Sequence, residues 1–155
     1  MPRIDLQAAP SGSGSSYPAP FDEPCRGRSW HRLGLAAGLT HLGVSLVRLA
    51  PGAWSSQRHW HTHEDEFVYV LSGEFVLVTD EGEDVLRAGD SAGFPAGVRN
   101  GHRLENRTTH DATFLVASNR SDDDGGEYSD IDMVFKAGRY TGGGGGYYHK
   151  DGTPY

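Results

Sequence analysis

The chain of 155 residues carries 14 Lys plus Arg against 21 Asp plus Glu, a formal charge of −7, so a nucleic-acid partner is not expected. That length suits one domain of ordinary size. The longest apolar run, 33–39, is broken by glycine and falls far short of the ~18 residues of a membrane span, so no membrane partner is expected either.

In chain order, residues 1–24 are rich in Ser, Gly and Pro and read as an arm that is either mobile or pinned to a partner surface. They contain no apolar stretch able to serve as a signal-peptide core, and the expected location is cytoplasmic. Cys25 is the only cysteine. It excludes an intrachain disulfide and any multi-cysteine metal site, reads as a spectator thiol, and leaves metal binding to His and carboxylate. Residues 25–41 form a lead-in.

The core follows. Of the 30 Leu, Ile, Val and Phe residues, 21 fall between Leu42 and Val116. They come as short runs rich in Val and Phe, at 43–49, 66–71, 74–79 and 112–118, divided by Pro51-Gly52, Ser72-Gly73, the acidic stretch 80–84 and Pro95-Ala96-Gly97. Such runs are strands, and no helical spacing persists for three turns. An all-β sandwich or barrel over 42–118 is expected. Beyond it, residues 119–155 should pack on the barrel: an acidic loop at 121–126, a strand carrying Ile131, Met133 and Phe135, a glycine tether at 142–146 and a turn at Asp151-Gly152.

Chemistry concentrates in His59-Trp60-His61-Thr62-His63, with Glu64, Asp65 and Glu66 next. On a strand, His59 and His61 share one face while Trp60 takes the other. Glu66 opens the following strand and can add a carboxylate oxygen, giving an N, N, O set suited to divalent first-row metals. A fourth ligand must come from elsewhere, with His102 and His110 the candidates inside the core. By the same parity Phe67 and Tyr69 turn away from the metal, toward another sheet or subunit. Gln57 has the parity of the two histidines and either touches a ligand or is a polar residue at the barrel mouth. His63 is either a supporting or surface residue or a direct ligand, and Glu64 and Asp65 read as solvated turn residues. Arg48, Arg58, Arg99 and Arg103 flank these segments and are candidate anion contacts.

The residues resemble the cupins. Their first motif, G-x5-H-x-H-x3/4-E-x6-G, is matched by His59, His61, Glu66 and Gly73, with Gly52 one residue further upstream than usual. The second, G-x5-P-x-G-x2-H-x3-N, is matched by Gly89, Pro95, Gly97, His102 and Asn106, with four residues rather than two between Gly97 and His102. The resemblance spans about Leu42 to Ser118. It implies a double-stranded β-helix, or jelly-roll barrel, with His59, His61, Glu66 and His102 around one divalent transition metal: Zn, Fe, Mn or Ni. A wider likeness, over SSQRHWHTHEDEFVYVLSGE and AGFPAGVRNGH, is to small single-domain bacterial cupins, some of them labelled sugar-phosphate isomerases.

These features give an expected metal-dependent enzyme acting on a small polar or anionic metabolite by isomerase, epimerase or lyase chemistry. The alternatives are an iron-dependent dioxygenase and a non-catalytic binding or sensory barrel. Metal affinity should fall below about pH 6, where free imidazole takes up a proton. Terminal arms and sheet edges that need covering point to a homodimer.

Overall fold

The computed structural model describes residues 3–141 and 145–155, so only part of the expected tether at 142–146 lies within the described residues. Among the described residues, thirteen strands and little helix are formed: β1 (Ser11–Ser13), β2 (Arg28–His31), β3 (Leu42–Leu49), β4 (His59–His61), β5 (Glu66–Ser72), β6 (Glu74–Thr79), β7 (Gly82–Arg87), β8 (Ser91–Phe94), β9 (Arg103–Glu105), β10 (Ala112–Asn119), β11 (Gly126–Tyr128), β12 (Val134–Phe135) and β13 (Tyr147–Tyr148). A single helical turn, α1 (Leu33–Ala36), lies between β2 and β3. The sheets run β1-β2-β3-β10-β5-β8, β13-β12-β11-β4 and β7-β6-β9, all antiparallel, and close as a jelly roll.

Alternation along the strands sets the core. Val68 and Val70 of β5 are 2% and 0% exposed, whereas Phe67, Tyr69 and Leu71 between them are 46%, 40% and 47% exposed. The buried set meets Val47, Leu49 and Phe114 from its own sheet and Phe75, Leu77 and Leu104 from the three-stranded sheet. Phe75 and Phe114 cross edge to face with ring centroids 5.3 Å apart. The tight β5–β6 turn requires Gly73 on two counts, a φ of +78° and a neighbour, Ala112 Cβ, that would stand 2.6 Å from any added Cβ.

The arm at 3–24 packs along the barrel. β1 adds a strand beside β2, the Pro24 carbonyl accepts from the Trp54 amide at 2.8 Å, and the Phe21 carbonyl accepts from Gln57 Nε2 at 2.7 Å. Tyr17 and Phe21 join Ile131 and Tyr147 around a second buried cluster of Tyr128, Met133 and Phe135. That cluster explains the apolar residues at 131–135, where the chain forms a turn followed by only two residues of strand. Both ends of the chain therefore close over the side of the barrel that carries β4.

Candidate metal centre

β4 is the strand that positions the site. It pairs on one edge with β11, His61 opposite Gly126 and His59 opposite Tyr128, and on the other with His102 through a two-residue bridge. In that bridge the His102 amide donates to the His59 carbonyl at 2.9 Å and the His59 amide to the His102 carbonyl at 3.3 Å. The longer turn before His102 thus leaves its side chain beside His59, because the backbone pairing, not the turn length, sets its position. Glu66 opens β5 on the same inward face as Val68 and Val70.

The four side chains converge. His59 Nε2 lies 3.1 Å from His61 Nε2, His102 Nε2 is 3.3 Å from Glu66 Oε1, and His61 Nε2 is 3.9 Å from Glu66 Oε2. The other ring nitrogens fix the tautomers of two histidines. His59 Nδ1 donates to the Gln57 carbonyl at 2.9 Å and His61 Nδ1 to Asp124 Oδ2 at 2.8 Å, since neither oxygen can donate. In the neutral rings, each Nε2 then presents a lone pair to the other across 3.1 Å, an arrangement that calls for a proton or a metal ion between them. Burial and the neighbouring His61 and His102 push the His59 imidazole down to about 3, so His59 stays neutral at ordinary pH. Burial by itself would raise the Glu66 carboxyl, but the His102 hydrogen bond and the surrounding imidazoles bring it down to about 2. His102 stacks flat on Phe94, centroids 3.6 Å apart, and its Nδ1 is buried without a partner. Three imidazoles and one carboxylate, all aimed inward, form a donor set that fits a divalent first-row ion.

Behind this set lies a layer of residues that sequence reasoning missed. Asp124 is fully buried; its Oδ2 accepts from His61 and from Arg139 Nη2 at 2.7 Å, and its Oδ1 from the His63 and Glu64 amides at 2.9 and 3.2 Å. Burial would raise its carboxyl, and the His61 and His63 hydrogen bonds outweigh that and hold it below the usual range. Glu64, expected as a solvated turn residue, is 3% exposed: it accepts from Arg139 at 2.9 Å, from the Tyr140 hydroxyl at 2.8 Å and from the Ser121 amide at 3.1 Å. Donor atoms of His61, Glu64 and Asp124 lie within 4.8 Å of one another, a spacing that could itself hold a metal. Arg139 already supplies the cation there, so this cluster reads as the support that orients His61. The one sequence hint was Gly125-Gly126 after the acids: a Cβ on Gly126 would sit 2.2 Å from the Trp60 carbonyl, so only glycine lets β11 come this close to β4.

Gln57 and His63 act through their backbones. The Gln57 carbonyl orients His59, while its side chain reaches the N-terminal arm and does not line the cavity. The His63 side chain is exposed, hydrogen-bonded to Thr62 Oγ1 at 2.9 Å, and its amide holds Asp124. The four arginines expected at anions are engaged or remote from the cavity. Arg48 pairs with Asp111, Arg58 with Asp80 and Asp130, and Arg103 with Glu105 and Asp130, while Arg99 lies over Trp60. His110 hydrogen-bonds Thr109 on the surface.

The inward side chains border a cavity of about 290 Å³, whose lining includes His59, His61, Glu66 and His102 as well as Glu64, Arg28 and Tyr140. Such a volume, with polar groups converging on one wall, suits a small metabolite. Residues 45–118 match the family model described as a Cupin domain. A curated relative, Protein SchB of Streptomyces halstedii, is 40% identical over 65 residues, 42% of this chain and 44% of that protein, so the match spans less than half of the relative. A solved structure from Acidithiobacillus ferrooxidans with a provisional sugar phosphate isomerase name is 30% identical, with 83% of this chain and 80% of that one covered and a TM-score of 0.73. A cupin-superfamily protein from Silicibacter pomeroyi, described as a sugar phosphate isomerase, is 47% identical across 99% of this chain and 96% of its own, with a TM-score of 0.93. A likeness that runs through both arms as well as the barrel makes the assignment plain: the chain belongs to the cupin superfamily.

Proposed function

We propose that this cupin is a metal-dependent enzyme for a small oxygen-rich metabolite, with isomerase or epimerase chemistry on a sugar-phosphate-type substrate, and that His59, His61, Glu66 and His102 hold one Zn, Fe, Mn or Ni ion. The observation that carries the reading is the pair of Nε2 atoms 3.1 Å apart whose Nδ1 partners are both already hydrogen-bonded to oxygen. A divalent ion bound there supplies a Lewis acid able to polarise a carbonyl or steady an enediolate. The names of the Silicibacter and Acidithiobacillus relatives favour this class. Around it the chain's candidates for moving a proton are the cavity tyrosines Tyr17, Tyr128, Tyr140 and Tyr147.

One observation favours a second reading, a binding or sensory barrel. Glu64, the only lining carboxylate besides Glu66, is engaged by three donors and is not free to act as a base. Deuterium exchange decides between the two. Purified protein of known metal content is mixed with aldose and ketose phosphates in D₂O and followed by proton NMR. The enzyme reading expects deuterium at the carbon next to the carbonyl, lost in His102→Ala. Ligand binding without exchange supports the binding barrel, and oxygen uptake by the iron form supports a dioxygenase. A wild-type protein that retains none of the four metals would overturn the metal assignment.

A further inference from the structure

Arg28 occupies an unusual place for a charged residue. On β2 it stands opposite Leu49, and Trp30, two residues on, stands opposite Val47. Leu49 and Val47 are 0% and 2% exposed and Trp30 packs on the same core, so Arg28 shares the inward face of the barrel wall. Its side chain borders the same cavity as the four converging ligands.

Seven arginines, Arg26, Arg48, Arg58, Arg87, Arg103, Arg107 and Arg139, have a carboxylate within ion-pair distance. Among the described residues Arg28, like Arg3, Arg32, Arg99 and Arg120, has none, and Arg28 alone of these five has its Nε buried with no hydrogen-bond partner. Two titratable side chains that feel its charge, Cys25 and Tyr17, do not neutralise it. Burial pushes the Cys25 thiol up to about 11 and raises the Tyr17 phenol as well, so both stay protonated beside the guanidinium. A half-buried guanidinium on a cavity wall, without a carboxylate partner and with its Nε unsatisfied, is what an anion-binding site presents before its ligand arrives, and its planar fork matches the two oxygens of a carboxylate or a phosphate. The hydroxyls of Ser55 and Ser56 line the same chamber and offer further donors to such an oxyanion.

We propose that Arg28 anchors the oxyanion of a small metabolite, a carboxylate or a phosphate monoester, whose oxygen-rich end is turned toward His59, His61, Glu66 and His102. The inference deepens the functional reading above and rests on it in taking this cavity as the substrate chamber. The test is isothermal titration of full-length protein, metal-loaded and metal-free, with inorganic phosphate and with malonate, on the wild type, Arg28→Met and Arg28→Lys. At least one anion should bind the metal-free wild type, at least tenfold more weakly to Arg28→Met and to an intermediate degree to Arg28→Lys, with metal content unchanged. Whichever anion binds more tightly identifies the phosphate or the carboxylate arm. Affinities in Arg28→Met within twofold of the wild type, or binding of neither anion, would overturn the proposal. Should Arg28→Met not fold, wild-type crystals soaked in selenate decide it: an anomalous peak against the Arg28 guanidinium supports the proposal and its absence refutes it. Metal stoichiometry reads out separately, so Arg28-dependent anion binding in a protein that holds no metal would keep this inference and remove the metal assignment alone.

Discussion

Asp124 is the residue whose environment makes the sharpest prediction. A fully buried carboxylate that accepts from an imidazole, a guanidinium and two amides fixes the ring orientation of His61. Asp124→Asn keeps the size and removes the charge, and should weaken metal affinity by about 10- to 100-fold in a chelator competition, the usual cost of losing such a support. Wild-type affinity in this variant would contradict the role. His59 and Glu66 carry the pH behaviour. The folded chain takes up fewer protons than the unfolded one, at His59 between pH 6.5 and about 3 and at Glu66 between 4.5 and about 2. Both contributions to stability are therefore complete above pH 6.5 and are lost on acidification through those windows. The melting temperature of metal-free protein should fall steadily from pH 7 to pH 4, with a shallower fall in His59→Asn; a flat wild-type profile would refute this.

At the scale of elements, β4 is held between β11 and His102, and the closeness of β11 depends on Gly126. A methyl group there meets the Trp60 carbonyl at 2.2 Å and the Phe135 ring at 2.4 Å, and the carbonyl belongs to the strand that carries His59 and His61. Gly126→Ala must push β11 off β4, taking Asp124 with it. The expected cost is about 1–3 kcal/mol in denaturant unfolding, typical of overpacking a tight interior, together with loss of metal affinity. Stability and affinity both equal to wild type would show that the sheet absorbs the methyl group. Legibility from sequence differs by element in a way this contact explains. β3, β5, β6 and β10 could be read from alternation because each faces a core on one side. β11, β12 and β13 are two or three residues long and hold their place through tyrosines and glycines that pair across the chain, a pattern with no local period.

For the whole molecule, the outer face of the six-stranded sheet is unusually apolar. Phe67, Tyr69 and Leu71 project from β5, and Leu115 stands in register with Tyr69 and with Leu46 on the neighbouring strands. Exposed apolar side chains grouped in this way mark a contact surface. We propose that a second copy of the chain covers it, as a two-fold dimer in which the same patch meets itself. Light scattering at tens of micromolar should give twice the 16.8 kDa chain mass, and Tyr69→Glu should return the monomer with the melt otherwise intact. A monomeric wild type at that concentration would remove the dimer.

By itself the sequence determined the all-β fold and the candidacy of His59, His61 and Glu66, because strand period and the spacing of these three are local properties written a few residues apart, while His102 entered through the likeness to the cupin motifs. Only the tertiary structure decided that Asp124, Glu64, Arg139 and Tyr140 stand behind His61, that Gln57 and His63 contribute carbonyl and amide rather than side chain, and that Arg28 borders the cavity with its Nε buried and without a partner among the described residues. Apart from the Gln57 carbonyl, the groups around His61 lie tens of positions from their partners. Their burial and pairing come from how the two arms fold over β4, and no window of sequence contains that information.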